Sequence, residues 1–253
     1  MLCNYKIAII KIKRLLEKQL NKKRIVITGG NGRFAKVLKN TNKSLKIYYP
    51  GKKELDVLKL NSIQKFIKKY KINYLVHNAA LSRPMKMHDK KISKSIDLNI
   101  IGTANIVKVC ELNKIKLIYF STGYVYEGIK GNYKESDSIK PINNYAWSKL
   151  GGECAVQMYK NSLILRLIMC ERPFTHKKAF YDIKTNFMYH DEFAKFFHRI
   201  INLKGILNVG GEIQTVYNFA KKTNKNLKKI SGKKFFPPNP SMNISKLRKI
   251  LKK

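Results

Sequence analysis

Acidic residues are scarce in this chain: 15 Asp and Glu stand against 53 Lys and Arg in 253 residues, a formal charge of +38. A positive excess of that size is the footprint of nucleic-acid or anionic-membrane binding. Arginine, which nucleic-acid readers favour, is scarce as well, since only eight of those cations are arginine and the lysines run along the whole length. With Asn and Ile also abundant, the charge reads as a solvated lysine surface under a coding bias towards A and T. That excludes a specific nucleic-acid reader and leaves weak, nonspecific contact with polyanions or a membrane surface. The four cysteines, Cys3, Cys110, Cys154 and Cys170, are widely scattered. Their spacing excludes a thiolate metal site and a disulfide framework and suits a reducing, cytoplasmic compartment. The apolar cluster Ile7-Ala-Ile-Ile10 is cut by Lys11, Lys13 and Arg14, too short for a membrane span or a signal-peptide core. Residues 1–22 therefore read as a basic extension, with Tyr5 to Leu20 an amphipathic helix resting on a membrane surface or, preferably, packed on the rest of the chain or on a partner. No repeat or disordered linker interrupts the remainder of the chain, and 44% hydrophobic residues suffice for one large α/β domain with a modest lobe.

What is present begins with Thr28-Gly29-Gly30-Asn31-Gly32-Arg33-Phe34-Ala35, directly after the apolar run Ile25-Val26-Ile27. Glycines let the backbone take positive φ and approach a ligand closely, and the free N–H groups of the next helix point at phosphates. A small residue at Ala35 allows helix and strand to pack. Alternating signals continue downstream. Strands are predicted near 24–28, 45–49, 73–77, 116–121 and 162–167, and helices near 32–41, 61–70, 90–112 and 145–160, which implies a parallel, doubly wound sheet of the Rossmann type. Beyond Arg166, residues 191–201 read as helix, 205–209 as strand and 215–223 as helix.

Five Tyr-x-x-x-Lys pairs occur: Tyr48/Lys52, Tyr49/Lys53, Tyr126/Lys130, Tyr145/Lys149 and Tyr217/Lys221. Context separates one of them. Pro141-Ile-Asn-Asn is a turn with an N-cap candidate, and the helix it opens places Tyr145 and Lys149 on one face. Upstream, Lys116-Leu-Ile-Tyr-Phe-Ser-Thr122 is a β-type run ending in two hydroxyls, and Asn99 lies on the preceding helix.

This ordered set resembles the extended short-chain dehydrogenase/reductase family, whose catalytic group is Asn, Ser or Thr, Tyr and Lys. Within it, Ser121-Thr-Gly-Tyr-Val-Tyr-Glu-Gly128, Gly152-Glu153, Leu163-Ile-Leu-Arg166, Val76-His-Asn-Ala-Ala80, Gly205-Ile-Leu-Asn-Val-Gly-Gly211 and Asn239-Pro-Ser-Met-Asn-Ile-Ser-Lys-Leu247 are similar to blocks of the dTDP-4-dehydrorhamnose reductase branch. The resemblance covers about residues 23 to 251 and is strong through Arg166. It implies Thr122, Tyr145, Lys149 and Asn99 as catalytic residues. Gly29, Gly32, Arg33, Phe34, Asp56, Val57, Asn78, Ala79 and Ala80, with Tyr145 and Lys149, are implied as the cofactor contacts. Ketone reduction needs an acid beside the carbonyl oxygen and a nicotinamide on one face. Tyrosine, with an ordinary pKa of about 10, serves at neutral pH only where a cation favours its phenolate, and Lys149 is expected to be that cation. By the same resemblance Lys149 also holds the nicotinamide ribose, Thr122 bonds the substrate oxygen, and Asn99 supports a water chain behind the lysine.

Three departures shape the expectation. Gly123-Tyr124 stands where sugar-nucleotide dehydratases carry an Asp-Glu pair and the reductases an Asp, Met169 replaces an aromatic, and the stretch from Cys170 to Tyr189 is short for the family. The second strand, Leu45-Lys-Ile-Tyr-Tyr-Pro50, ends without the acid that would bind an NAD ribose and is followed by Gly51-Lys52-Lys53, which with Arg33 favours NADPH while leaving NADH open. The expected organisation is a basic extension (1–22), an NAD(P)-binding Rossmann domain (23–170) and a reduced C-terminal substrate lobe (171–253, built mainly from 171–190 and 228–253, with elements returning to the Rossmann domain). The expected activity is NAD(P)H-dependent reduction of a nucleotide-linked 4-keto-6-deoxy sugar, with a proton from Tyr145 and a homodimer allowed. A 4-epimerase holding NAD, or a non-catalytic Rossmann subunit, are the alternatives.

Overall fold

A computed structural model describes residues 23–41 and 45–252, so the amphipathic helix expected within 1–22 lies outside the described residues. Six strands form one parallel sheet: β1 (Arg24–Ile27), β2 (Lys46–Tyr48), β3 (Tyr74–His77), β4 (Lys116–Thr122), β5 (Ser162–Leu167) and, late in the chain, β10 (Gly205–Val209), in the order β10-β5-β4-β3-β1-β2. All five pairings are parallel. The sheet is the expected α/β Rossmann-type arrangement, and the strand boundaries match the hydrophobic runs to within about two residues.

Alternation along each strand builds two cores. Ile25, Ile27, Ile118, Phe120, Leu163 and Leu165 face one side and pack with Phe34, Leu38, Phe193, Phe197 and Leu247. Val26, Leu117, Tyr119 and Ile164 face the other and pack with Ile63, Ile67, Ile106, Val109 and Val156. Helices Arg33–Thr41, His190–Ile200 and Ser245–Lys252 thus cover one face, while Leu60–Tyr70, Gly102–Leu112 and Asn144–Gln157 cover its opposite. Strands buried on both sides need continuous apolar runs, which is what the sequence supplies.

The segment expected as one helix over 90–112 is interrupted. Short helical pieces at Met87–Lys90 and Ile92–Ser95 lead into a π-helical turn, Ile96–Ile101, before a regular helix resumes at Gly102. Wide turns of this kind redirect a side chain, and here the turn carries Asn99.

Beyond the carboxyl ends of the strands lies a small apolar cluster of Cys170, Phe174, Ala179, Ile183, Tyr189, Val216, Phe219 and Leu227. It is framed by short pairings: β6 (Met169–Cys170) with β9 (Met188–Tyr189), β7 (Lys178–Phe180) with β12 (Lys228–Ile230), and β8 (Lys184–Thr185) with β11 (Gln214–Thr215). Helix Val216–Lys221 belongs to this cluster, whereas Ile244 and Leu247 carry the last helix back onto the sheet.

Candidate active site

The chain runs outwards from β1 to β2 and then returns to add β3 on the other side of β1. In open parallel sheets a crevice forms at that reversal, outside the carboxyl ends of the strands. The turn after β1 and residues 78–80 after β3 meet there. Gly29 sits at φ 68°, and a Cβ on it would lie 3.0 Å from the Ala79 Cα, so both handedness and space demand glycine. The Thr28 hydroxyl accepts from the N–H groups of Asn78 (3.2 Å) and Ala79 (3.1 Å) and pairs with His77 Nδ1 (2.9 Å), fixing the second loop against the first. His77 is sealed in, its pKa lowered to about 3 by burial and by neighbouring Lys149.

The tyrosine helix starts at Asn143, whose side chain accepts from the Ala146 N–H at 2.9 Å. Capping fixes the phase, and Tyr145 and Lys149 then face the end of β4. Gly152 brings this helix in: a Cβ there would lie 2.5 Å from the Asn99 carbonyl oxygen and 2.6 Å from the Tyr119 hydroxyl. Below the site, the Glu153 carboxylate accepts from Ser121 Oγ (2.5 Å) and from Arg166 Nη2 (2.7 Å) and Nε (3.2 Å). Arg166 Nη1 in turn donates to the Tyr126 hydroxyl (2.7 Å), which bonds Asn208. This buried network anchors Ser121, the neighbour of Thr122, to the tyrosine helix.

Thr122, Tyr145 and Lys149 line one cavity of about 1220 Å³ together with Gly29, Gly32, Arg33, Phe34, Asn78, Ala79 and Ala80. Thr122 favours the phenolate of Tyr145. Asn99 does not reach the cavity: it is fully buried, and its side chain braces both backbone groups of Leu81 (2.8 and 2.9 Å) and the Ser148 hydroxyl (2.8 Å). Asp56 and Val57 lie outside the lining as well. The Asp56 carboxylate accepts from the Leu58 N–H, and Val57 is buried in the sheet core against Gly102.

Burial shifts both titratable groups of the pair expected from sequence. Burial pushes the Tyr145 phenol up to about 12, opposed by the Thr122 hydroxyl and then by Arg83 and Arg33. Lys149, the cation expected to favour its phenolate, lies over the Tyr119 ring at 4.2 Å, and burial drags its pKa to about 7, against the pull of Glu153. A guanidinium keeps its charge where a buried amine does not. Arg33 and Arg83 are therefore permanent cations near Tyr145, both paired with Glu171. Arg33 pairs with Glu171 and reaches Ser82 Oγ (3.5 Å), while Lys52 lines the cavity near Gly51. Sequence reasoning missed Ser82, Arg83, Glu171 and His190. Glu171 had a signal: in a chain so poor in acids, one standing just after the fifth strand is conspicuous.

The other half of the cavity is walled by Tyr124, Phe174, Phe180, Phe187 and Phe236, with His176, Lys177 and Lys178 beside them. Met169, which replaces the aromatic of the reductases, lines it as well. Gly123 is closely enclosed, since a Cβ would lie 2.6 Å from Ile168 Cγ1 and 2.8 Å from Met242 Sδ, so an acid there would displace both side chains. For a dinucleotide the donor set fits. The glycine turn leaves a cradle that side chains would fill, and no carboxylate lines the crevice where β2 ends. Among the described residues no group of His, Cys, Asp or Glu could hold a metal ion, and no helix is long and apolar enough to cross a membrane.

Known proteins similar to this chain point to one family. The chain is 27% identical over 154 residues to methionine adenosyltransferase 2 subunit beta of Pongo abelii, which covers 56% of this chain and 46% of that protein. It is 28% identical over 148 residues to dTDP-4-dehydrorhamnose reductase of Aggregatibacter actinomycetemcomitans, covering 56% and 50%. The chain thus spans about half the length of the curated relatives it matches. Among solved structures, dTDP-4-dehydrorhamnose reductase from Bacillus anthracis in complex with NADP superposes with a TM-score of 0.79 at 23% identity, covering 90% of this chain and 91% of that one. Residues 23–170 match the model of the RmlD substrate binding domain, and with the glycine turn, the Thr-Tyr-Lys constellation and the reversal crevice all falling inside that span, the chain belongs to the RmlD substrate-binding domain family of extended short-chain dehydrogenases/reductases.

Proposed function

We propose that this protein is an NAD(P)H-dependent reductase of a nucleotide-linked 4-keto-6-deoxy sugar, with Tyr145 as proton donor. One observation carries the reading: Thr122, Tyr145 and Lys149 open into the same cavity as the glycine turn and residues 78–80. Gly29, Gly32 and residues 78–80 would hold the dinucleotide, Lys149 its nicotinamide ribose, and Lys52 its 2′-phosphate. A bound reduced nicotinamide supplies the hydride that ketone reduction requires. The phenol of Tyr145, up at about 12, stays protonated at neutral pH. It is a ready acid, because an alkoxide is a far stronger base than a phenolate and the transfer runs downhill. Thr122, at the end of β4, lines the cavity beside Tyr145 and eases the loss of its proton to the substrate oxygen. The aromatic wall and its lysines suit a base and a diphosphate. Tyr145→Phe is expected to lower turnover of a dTDP-4-keto-6-deoxy sugar at least a thousandfold, with NADPH affinity within about twofold of wild type. Wild-type turnover in this variant sinks the role.

A second reading, a non-catalytic Rossmann subunit, is favoured by the relatives named as a subunit of methionine adenosyltransferase 2 and by Lys149 lying over the Tyr119 ring. NADPH binding with no turnover of any keto sugar nucleotide would select it, and NAD that copurifies and cannot be washed out would select a 4-epimerase.

A further inference from the structure

Two arginines from different loops converge on one carboxylate at the cavity. Arg33, the first residue of the helix after the glycine turn, pairs with Glu171 Oε1. Arg83, from the loop after β3, donates to both carboxylate oxygens at 3.2 and 3.3 Å. All three line the cavity, and the Glu171 side chain is only 21% exposed. Burial alone would raise the Glu171 carboxyl, but its own backbone N–H, then Arg83 and Arg33, outweigh that and hold it below the ordinary range, so it is ionised at neutral pH. Beside it His190, only 7% exposed, also lines the cavity and has a ring Nδ1 without a hydrogen-bond partner. Its pKa is lowered to about 4 by burial, so it adds no charge there, and the remaining charged neighbour is Asp191.

A pair of guanidiniums at the N-terminal end of a phosphate-cradling helix is a receptor for a diphosphate. In this chain that receptor is filled by an internal carboxylate. A diphosphate cannot settle between Arg33 and Arg83 beside an ionised Glu171 without strong like-charge repulsion. We propose that Glu171 is an internal competitor for a diphosphate ligand: it latches the Arg33 and Arg83 loops together in the free protein, and ligand entry exchanges a diphosphate for the carboxylate on the two guanidiniums. The natural ligand, a dinucleotide, rests on the reading proposed above, but the exchange itself does not. His190 Nδ1, unpaired in the latched state, is placed to bond the incoming group or the displaced Glu171.

The experiment is calorimetric titration of the full chain and of Glu171→Gln with inorganic pyrophosphate and, separately, NADPH. Glu111→Gln, an exposed acid at the end of helix Gly102–Leu112, controls for the general effect of removing one negative charge from a strongly basic protein. A latched fraction lowers apparent affinity in proportion to the open population, so Glu171→Gln should bind both ligands roughly five- to thirtyfold more tightly, while Glu111→Gln changes less than about twofold. Arg83→Gln should weaken pyrophosphate binding. Equal or weaker pyrophosphate binding by Glu171→Gln, a matching gain in Glu111→Gln, or no pyrophosphate binding by any variant overturns the latch. Tight pyrophosphate binding with no NADPH binding leaves the latch standing and sinks the dinucleotide reading instead.

Discussion

Replacing Glu153 by Gln should be among the most damaging single changes in this protein, although the residue never touches the cavity. Its carboxylate is fully buried and receives Arg166 through two N–H groups, and the Arg166 side chain is itself 3% exposed. Glutamine keeps the shape and one acceptor for Ser121 but leaves the guanidinium buried without a counter-charge. Breaking one partner of a buried pair costs about 3–5 kcal/mol. For a domain of this size, each kcal/mol moves the midpoint by about 2–4 °C, so Tm should fall by roughly 6–20 °C. Calorimetry or far-UV melting at neutral pH measures it. The cycle with Arg166→Met and Glu153→Gln/Arg166→Met tests the cause: the double variant should lose about as much as one single variant, giving a coupling above about 2 kcal/mol. A Glu153→Gln loss under about 1 kcal/mol, or strictly additive singles, would refute the argument. Because Ser121 precedes Thr122, residual turnover of Glu153→Gln below its melting temperature should also drop, with KM affected less than kcat.

Gly152→Ala should cost roughly 1–3 kcal/mol or more in urea denaturation, since the added methyl meets the Asn99 carbonyl and two hydroxyls and the helix must back away. Lys52→Ala should weaken NADPH by roughly fivefold and leave NADH unchanged in fluorescence titration, the size expected of one exposed phosphate contact. Lys149 titrates near 7 when folded against an ordinary 10.5, so between those values the unfolded chain binds more protons and stability rises with pH; Lys149→Met should lose that rise in denaturant midpoints compared at pH 7 and pH 9. His77, near 3, and His190, near 4, are both held below the ordinary 6.5 by burial, so stability should fall as pH drops below about 6.5, and His77→Gln should blunt the fall.

Much of this was written locally. Apolar runs alternating with amphipathic segments determined the parallel sheet, because strands buried on both faces and helices buried on one need those patterns whatever their neighbours. The glycine turn and the Tyr145/Lys149 spacing were legible for the same reason: backbone handedness and i,i+4 geometry act within a few residues. Position in three dimensions was not. The strand order that opens the crevice between β1 and β3 sets Arg33 from one loop beside Arg83 and Glu171 from two others, a juxtaposition no spacing encodes. Asn99, expected behind the lysine, is turned by a π-helical turn into a brace for Leu81 and Ser148, and Val57 packs in the core against the helix at Gly102. Tertiary structure also decided the charges. Burial takes the proton affinity of Lys149 down and that of Tyr145 up, and desolvation is a property of everything that surrounds a group, which a chain acquires only once it has folded.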